Sequence, residues 1–143
     1  MPTLFEIMKS SRFSVIIALV VLSMLPLITF SQDAKTISEE VTKAIRQGNA
    51  AEMAKYFGRN VDLTLPGSEG TFSRSQSEVI LRNFFSRNTP NSFSVIHDGA
   101  SRDGSVYVIG TYKTRGGQSY RVYFYVKKVS ETFFLHQVQF ELQ

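Results

Sequence analysis

Two histidines, no cysteine and no run of acids are what this chain offers for chemistry. His136 is the sharper of the two. It stands in Phe134-Leu135-His136-Gln137-Val138-Gln139-Phe140, where alternation groups it with Phe134, Val138 and Phe140 on the apolar side of a strand. An imidazole buried there stays neutral unless it gains a partner, so it serves either as a pocket base or ligand contact, or as a satisfied core residue. The pocket around it would be Tyr112, Phe124, His136 and Val138. His97 precedes Asp98-Gly99; strand neighbours point to opposite faces, which argues against a dyad and for a turn at Asp98-Gly99. Asp62 alternates out of phase with Val61, Leu63 and Leu65 and points away from the core, while Asp103, Glu131 and Glu141 fall at turns or the chain end. An acid–base pair must converge within hydrogen-bond reach, and no carboxylate is placed to meet His136. With these residues no catalytic set, metal site or cofactor is expected.

A second pattern is Arg121-Tyr123-Tyr125-Lys127, base and aromatic alternating on one strand face. Such stripes stack bases in single-strand binders, but they also arise from cross-strand packing and protein interfaces. Gly116-Gly117 reads as a hairpin turn, since no strand–loop–helix context makes it a phosphate loop.

The elements that position these residues fall in two blocks. Ile37, Val41, Ala44 and Ile45 have helical spacing, with Thr36 and Glu39 as a capping box and Gly48 as the C-cap. Asn49 opens a second short helix with Ala50, Met53, Ala54 and Phe57 on one face. Val61, Leu63 and Leu65 make a strand ended by Pro66-Gly67, and residues 67–70 read as a loop. Ser73 and Gln76 cap a third helix with an inner face of Ile80, Leu81, Phe84 and Phe85 that stops before Pro90. Four strand-like runs follow at 92–97, 105–113, 120–128 and 132–142. Helices early and consecutive strands late give an α+β fold ending in an antiparallel meander.

Register decides which side of that sheet is core, because a one-residue slip exchanges the faces. Three-residue loops at 116–118 and 129–131 gather the aliphatic residues together. They set Val108 opposite Val126 and Phe124 opposite His136. The inner face is then Val106, Val108, Gly110, Tyr112, Val122, Phe124, Val126, Phe134, His136, Val138 and Phe140. The outer face carries Tyr107, Ile109, Tyr123, Tyr125, Phe133 and Leu135, more contiguous apolar surface than a soluble monomer usually shows. Tyr107, Tyr123, Tyr125 and Phe133 are accordingly the expected interface of a homodimer.

Ahead of the domain, Lys9 and Arg12 precede an uncharged stretch from Phe13 to Phe30 that ends in Thr29-Phe30-Ser31-Gln32. A basic start, a short apolar run and small residues before a cut form a secretory signal pattern, so residues 1–31 read as a signal peptide and 32–143 as one domain. The apolar run is shorter than the ~20 residues a permanent span needs; an uncleaved anchor is the alternative, and the only membrane contact expected. Cleavage after Ser31 leaves 14 basic and 11 acidic side chains, a net charge of +3 spread without blocks. An exported chain with that distribution is not expected to bind nucleic acid. Absence of cysteine excludes disulfides and a cysteine-linked lipid anchor.

Taken in order, Gly48-Asn49-Ala50, Val61-Asp62-Leu63, Phe84-Phe85, His97-Asp98-Gly99 and Tyr107-Val108-Ile109-Gly110 resemble domain of unknown function 4783. These are small exported bacterial proteins of the nuclear transport factor 2-like (cystatin-like) superfamily. The resemblance implies a cone: a curved antiparallel sheet packed on N-terminal helices, with a pocket at its open end. It brings no activity. Enzymes of the superfamily that isomerise ketosteroids or dehydrate small substrates use a buried Asp or an Asp–His pair. Two readings follow: a periplasmic or secreted non-catalytic domain that binds an exported protein or a small apolar ligand, or an enzyme of that type with a pocket around His136.

Overall fold

The computed structural model describes residues 14–17, 20 and 32–143. Residues 14–17 and Val20 are helical; the other residues of the expected signal peptide, up to the expected cut before Gln32, lie outside the described residues. Among the described residues, no helix is long and apolar enough to cross a membrane.

Helix α1 (Ala34–Gln47) buries Ile37, Val41, Ala44 and Ile45, the residues its periodicity selects. Its N-cap is Asp33, whose carboxylate accepts the Thr36 N–H at 2.8 Å, so the start lies three residues before the Thr36 capping box expected from sequence. Gly48 ends it in the left-handed conformation at φ 65°. Asn49 then caps α2 (Ala50–Ala54) by accepting the Glu52 N–H. Phe57 is buried, but as the first residue of β1 (Phe57–Leu65) rather than on a helix face.

The segment read as a loop at 67–70 belongs to a strand, β2 (Ser68–Ser73), which folds back on β1 across Pro66-Gly67. Half-buried to exposed along its length, β2 lacks the apolar alternation that marks strands in sequence. Ser73 and Gln76 form the reciprocal capping box of α3 (Arg74–Arg87), which buries Leu81, Phe84 and Phe85 while Ile80 is half-buried.

The remaining strands are β3 (Pro90–Ala100), β4 (Val106–Thr114), β5 (Ser119–Val129) and β6 (Thr132–Leu142). The curved, unclosed sheet runs β2-β1-β6-β5-β4-β3, antiparallel except where β1 joins β6 in parallel. Helix α1 crosses the inner face of β3 to β6, and α3 packs on β1 and β2. The core lies between them.

Two register details differ from the sequence expectation. At β4–β5 the loop has three residues, but they are Arg115–Gly117: Thr114 pairs with Gln118 through its N–H at 2.9 Å. Val108 therefore faces Phe124, and Tyr112 faces Tyr120. The inferred partners are off by two, which leaves every side chain on its expected face; alternation constrains parity and nothing finer. At β5–β6 the turn is the two-residue Ser130-Glu131, with Ser130 at φ 56°. One extra residue, His136, is then inserted between the pairs Tyr125–Gln137 and Val126–Leu135. This bulge restores the expected parity from Gln137 onward and inverts it before.

Candidate functional site

The bulge rearranges the residues expected to form a pocket. Tyr112, Phe124 and Val138 stay on the inner face, each fully buried. His136 does not join them. It projects to the outer, convex side, where its Nε2 lies 3.5 Å from Asp62 Oδ2, the two side chains 37% and 46% exposed. Phe133 and Leu135 change sides as well. Leu135 is fully buried opposite Val126, Phe133 packs against the core beneath Lys128, and Phe134 opposite Lys127 takes the outer side.

Inside the cone, rings fill the space. Phe84 and Phe85 from α3 meet Tyr112, Tyr120 and Phe140 from the sheet, with centroids 4.7 Å apart for Phe84–Phe140 and 5.4 Å for both Phe84–Tyr120 and Tyr112–Phe140. Both tyrosine hydroxyls are satisfied by one residue: Tyr112 donates to the Asn88 carbonyl at 2.5 Å and Tyr120 to its side-chain oxygen at 3.0 Å. Burial, with Tyr120 adding, holds the Tyr112 hydroxyl far above the usual tyrosine range. These are the marks of a packed, hydrogen-bonded core.

Chemistry-bearing side chains instead gather on the convex face. Asp62, which sequence places there correctly, accepts the Thr71 hydroxyl from β2 at 2.6 Å and faces His136. Sequence reasoning left His136 without a carboxylate because the bulge, and the parallel placement of β1 beside β6, bring the pair together. His97 and Asp98 lie within β3, not in a turn; a bulge at Ile96 precedes them. His97 Nε2 is 2.8 Å from the Tyr107 hydroxyl, and the Tyr107 ring stacks on Tyr123 at 6.5 Å and 25°. Gly99 makes room for that ring: a Cβ there would come within 2.6 Å of it. Burial, with Tyr125 and Tyr107 adding, raises the Tyr123 hydroxyl above its ordinary value.

Beside these rings, Gln137, Gln139 and Glu141 on β6 face Tyr125, Tyr123 and Arg121 on β5. Arg121, Tyr123, Gln139 and Glu141 line a surface groove of about 290 Å³. An apolar hollow of about 400 Å³ lies by Phe72, Val79 and Ile80. Among the described residues, no group of three or more His, Asp or Glu is placed to hold a metal ion.

A family model described as a domain of unknown function, DUF4783, matches residues 38–141. The chain belongs to the DUF4783 family. Crystal structures of DUF4783 proteins from Bacteroides uniformis and Bacteroides ovatus are each 32% identical to it, covering 73% of this chain and 95% and 93% of their own, with TM-scores of 0.68 and 0.66. A cystatin-fold protein from Novosphingobium aromaticivorans is 9% identical with a TM-score of 0.61 over 77% of this chain and 98% of its own, a likeness of fold alone. No curated protein matches. This DUF4783 domain is thus a nuclear transport factor 2-like, cystatin-like α+β cone.

Proposed function

We propose that this DUF4783 domain is an exported, non-catalytic interaction module that works through the convex face of its sheet. The observation that carries the reading is the contrast between the two faces. The cone interior is filled by Phe84, Phe85, Tyr112, Tyr120 and Phe140, whereas Tyr107, Tyr123, Tyr125 and Phe134 stand half-buried side by side on the outside.

The partner is a second copy of the chain. Tyrosine hydroxyls both donate and accept hydrogen bonds, so a tyrosine patch is complementary to itself, as a two-fold interface requires. Lys127 borders the patch and Arg121 lies further along β5, where charge remains hydrated at a rim. Hydroxyl-radical footprinting at low and high concentration tests this. Tyr107 and Tyr125 become protected on concentration; protection away from the convex face, or none, overturns the reading.

Export rests on the signal pattern of residues 1–31. Intact-mass measurement on secreted material gives a chain beginning at Gln32. A chain retaining Met1 makes the segment an anchor.

One observation favours the enzymatic alternative: the Asp62–His136 contact is the acid–imidazole pair that such a reading needs. It is half-exposed on the convex face, so any substrate lies there and not in the cone. His136→Ala abolishing a turnover found with the purified domain would establish that reading.

A further inference from the structure

We infer that the groove between Arg121, Tyr123, Gln139 and Glu141 is a saccharide subsite that takes one neutral hexopyranose unit of an oligosaccharide. The inference rests on the convex face being the working surface, and it places the sugar toward the Arg121 end, beyond the Tyr107–Tyr125 rings.

The two strands supply complementary ladders. On β5 the outward residues are Arg121, Tyr123 and Tyr125; directly across on β6 stand Glu141, Gln139 and Gln137. Successive rungs are about 7 Å apart along the strands. One strand therefore lays down flat apolar ring surface while its neighbour lays down amide and carboxylate edges. A pyranose has the matching anatomy, with a face of C–H bonds and a rim of hydroxyls that each donate and accept.

The half-buried Tyr123 ring offers its exposed part to the C–H face. Gln139 presents a donor and an acceptor on adjacent atoms, Glu141 presents acceptors, and Arg121 presents a fork of donors. The Gln139 amide donates to the Glu141 carboxylate, so the two side chains are oriented before a ligand arrives. Arg121 makes no ion pair among the described residues and keeps its donors available.

Charge and size narrow the ligand class. The lining holds one cation and one anion, a balance that selects a neutral ligand. A nucleic acid or polyphosphate would require several cations together, and a lipid chain would require an apolar lining. The groove of about 290 Å³ lies at the small end of ligand sites, ~300–1,000 Å³, the scale of a single ring unit.

The chain has six tyrosines and no tryptophan, so tyrosine fluorescence is not masked by indole emission, and Tyr123 in the groove contributes to it. The folded domain is titrated with cellohexaose, mannohexaose and chitohexaose, and separately with inorganic phosphate. The expected result is saturable binding of at least one hexasaccharide, weakened about tenfold in both Gln139→Ala and Arg121→Ala, each of which removes a hydrogen bond to the ligand. Thermal melting confirms that both variants fold, and Tyr112→Phe, altered only in the core, binds as wild type. No saturation with any of the three sugars overturns the proposal, as does unchanged affinity in folded Gln139→Ala. Saturation by phosphate alone overturns it too, by making Arg121 an anion contact. If the sugars fail while Tyr107 and Tyr125 are still protected on concentration, the saccharide assignment falls and the interaction module stands.

Discussion

His136 Nε2 lies 3.5 Å from Asp62 Oδ2 because β6 carries one residue more than β5 at that level. The extra residue turns the imidazole to the convex side and hands its inward place to Leu135, which is fully buried against Val126. Stability should follow that exchange. Leu135→Ala is expected to cost about 2–5 kcal/mol, the range for deleting a buried leucine side chain. His136→Ala removes only a half-exposed contact with Asp62 and should cost under ~1 kcal/mol. Urea denaturation of the two variants decides between the registers; the reverse order would return His136 to the core.

Two glycines separate packing from surface arrangement. A Cβ at Gly110 would come within 2.7 Å of the Ser94 carbonyl oxygen as well as 2.6 Å of the Phe93 ring, so backbone must move. Gly110→Ala is expected to destabilise by about 1–3 kcal/mol. At Gly99 the obstruction is only the far end of Tyr107, 2.5 Å from the added atom. Gly99→Ala should cost under ~1 kcal/mol, the worth of the His97–Tyr107 hydrogen bond. It displaces the Tyr107 ring from Tyr123, which NMR contacts between the two rings will register. Equal melting temperatures for the two variants would contradict the close approach of β3 and β4 at Gly110.

Alkaline pH probes the ring core. Tyr112 is buried and its hydroxyl is raised far above the ordinary value of 10.0, chiefly by burial and then by Tyr120. The unfolded chain releases this proton near pH 10 while the folded chain retains it. Its contribution is therefore whole below pH 10 and declines as pH rises past 10 toward the folded value. Tyr112→Phe should lose ~1 kcal/mol at neutral pH with the bond to Asn88. It should also lose less stability than wild type between about pH 9 and pH 11. Parallel pH profiles for the two proteins would mean that Tyr112 is hydrated in the fold.

The helices were legible in the sequence because their signals are local. Asn49, Ser73 with Gln76 and Gly48 each fix a helix end through hydrogen bonds within a few residues. The faces of β4 and β5 were legible because alternation records parity. Their pairing partners were not, since a shift of two, as between Val108–Val126 and the observed Val108–Phe124, preserves parity. Strand β2 escaped notice because its exposed edge position demands no apolar residues. The candidate site suffered most from the bulge at His136, which breaks the period on which the inference rests. Phe133-Phe134-Leu135, three apolar residues without alternation, was the local trace of it. The meeting of Asp62 with His136 depends on β1 lying parallel to β6, a long-range pairing that no local pattern encodes.

The central claim is that the convex face, and not the cone interior, is where this domain meets its partner. Light scattering of the wild type and of Tyr125→Glu at high micromolar concentration tests it most directly, because a carboxylate in the middle of the tyrosine patch repels its symmetry mate while leaving the buried core untouched. The account predicts a dimeric wild type and a monomeric, folded variant. A wild type that is monomeric at that concentration, or a variant that dimerises as well as the wild type, would contradict it.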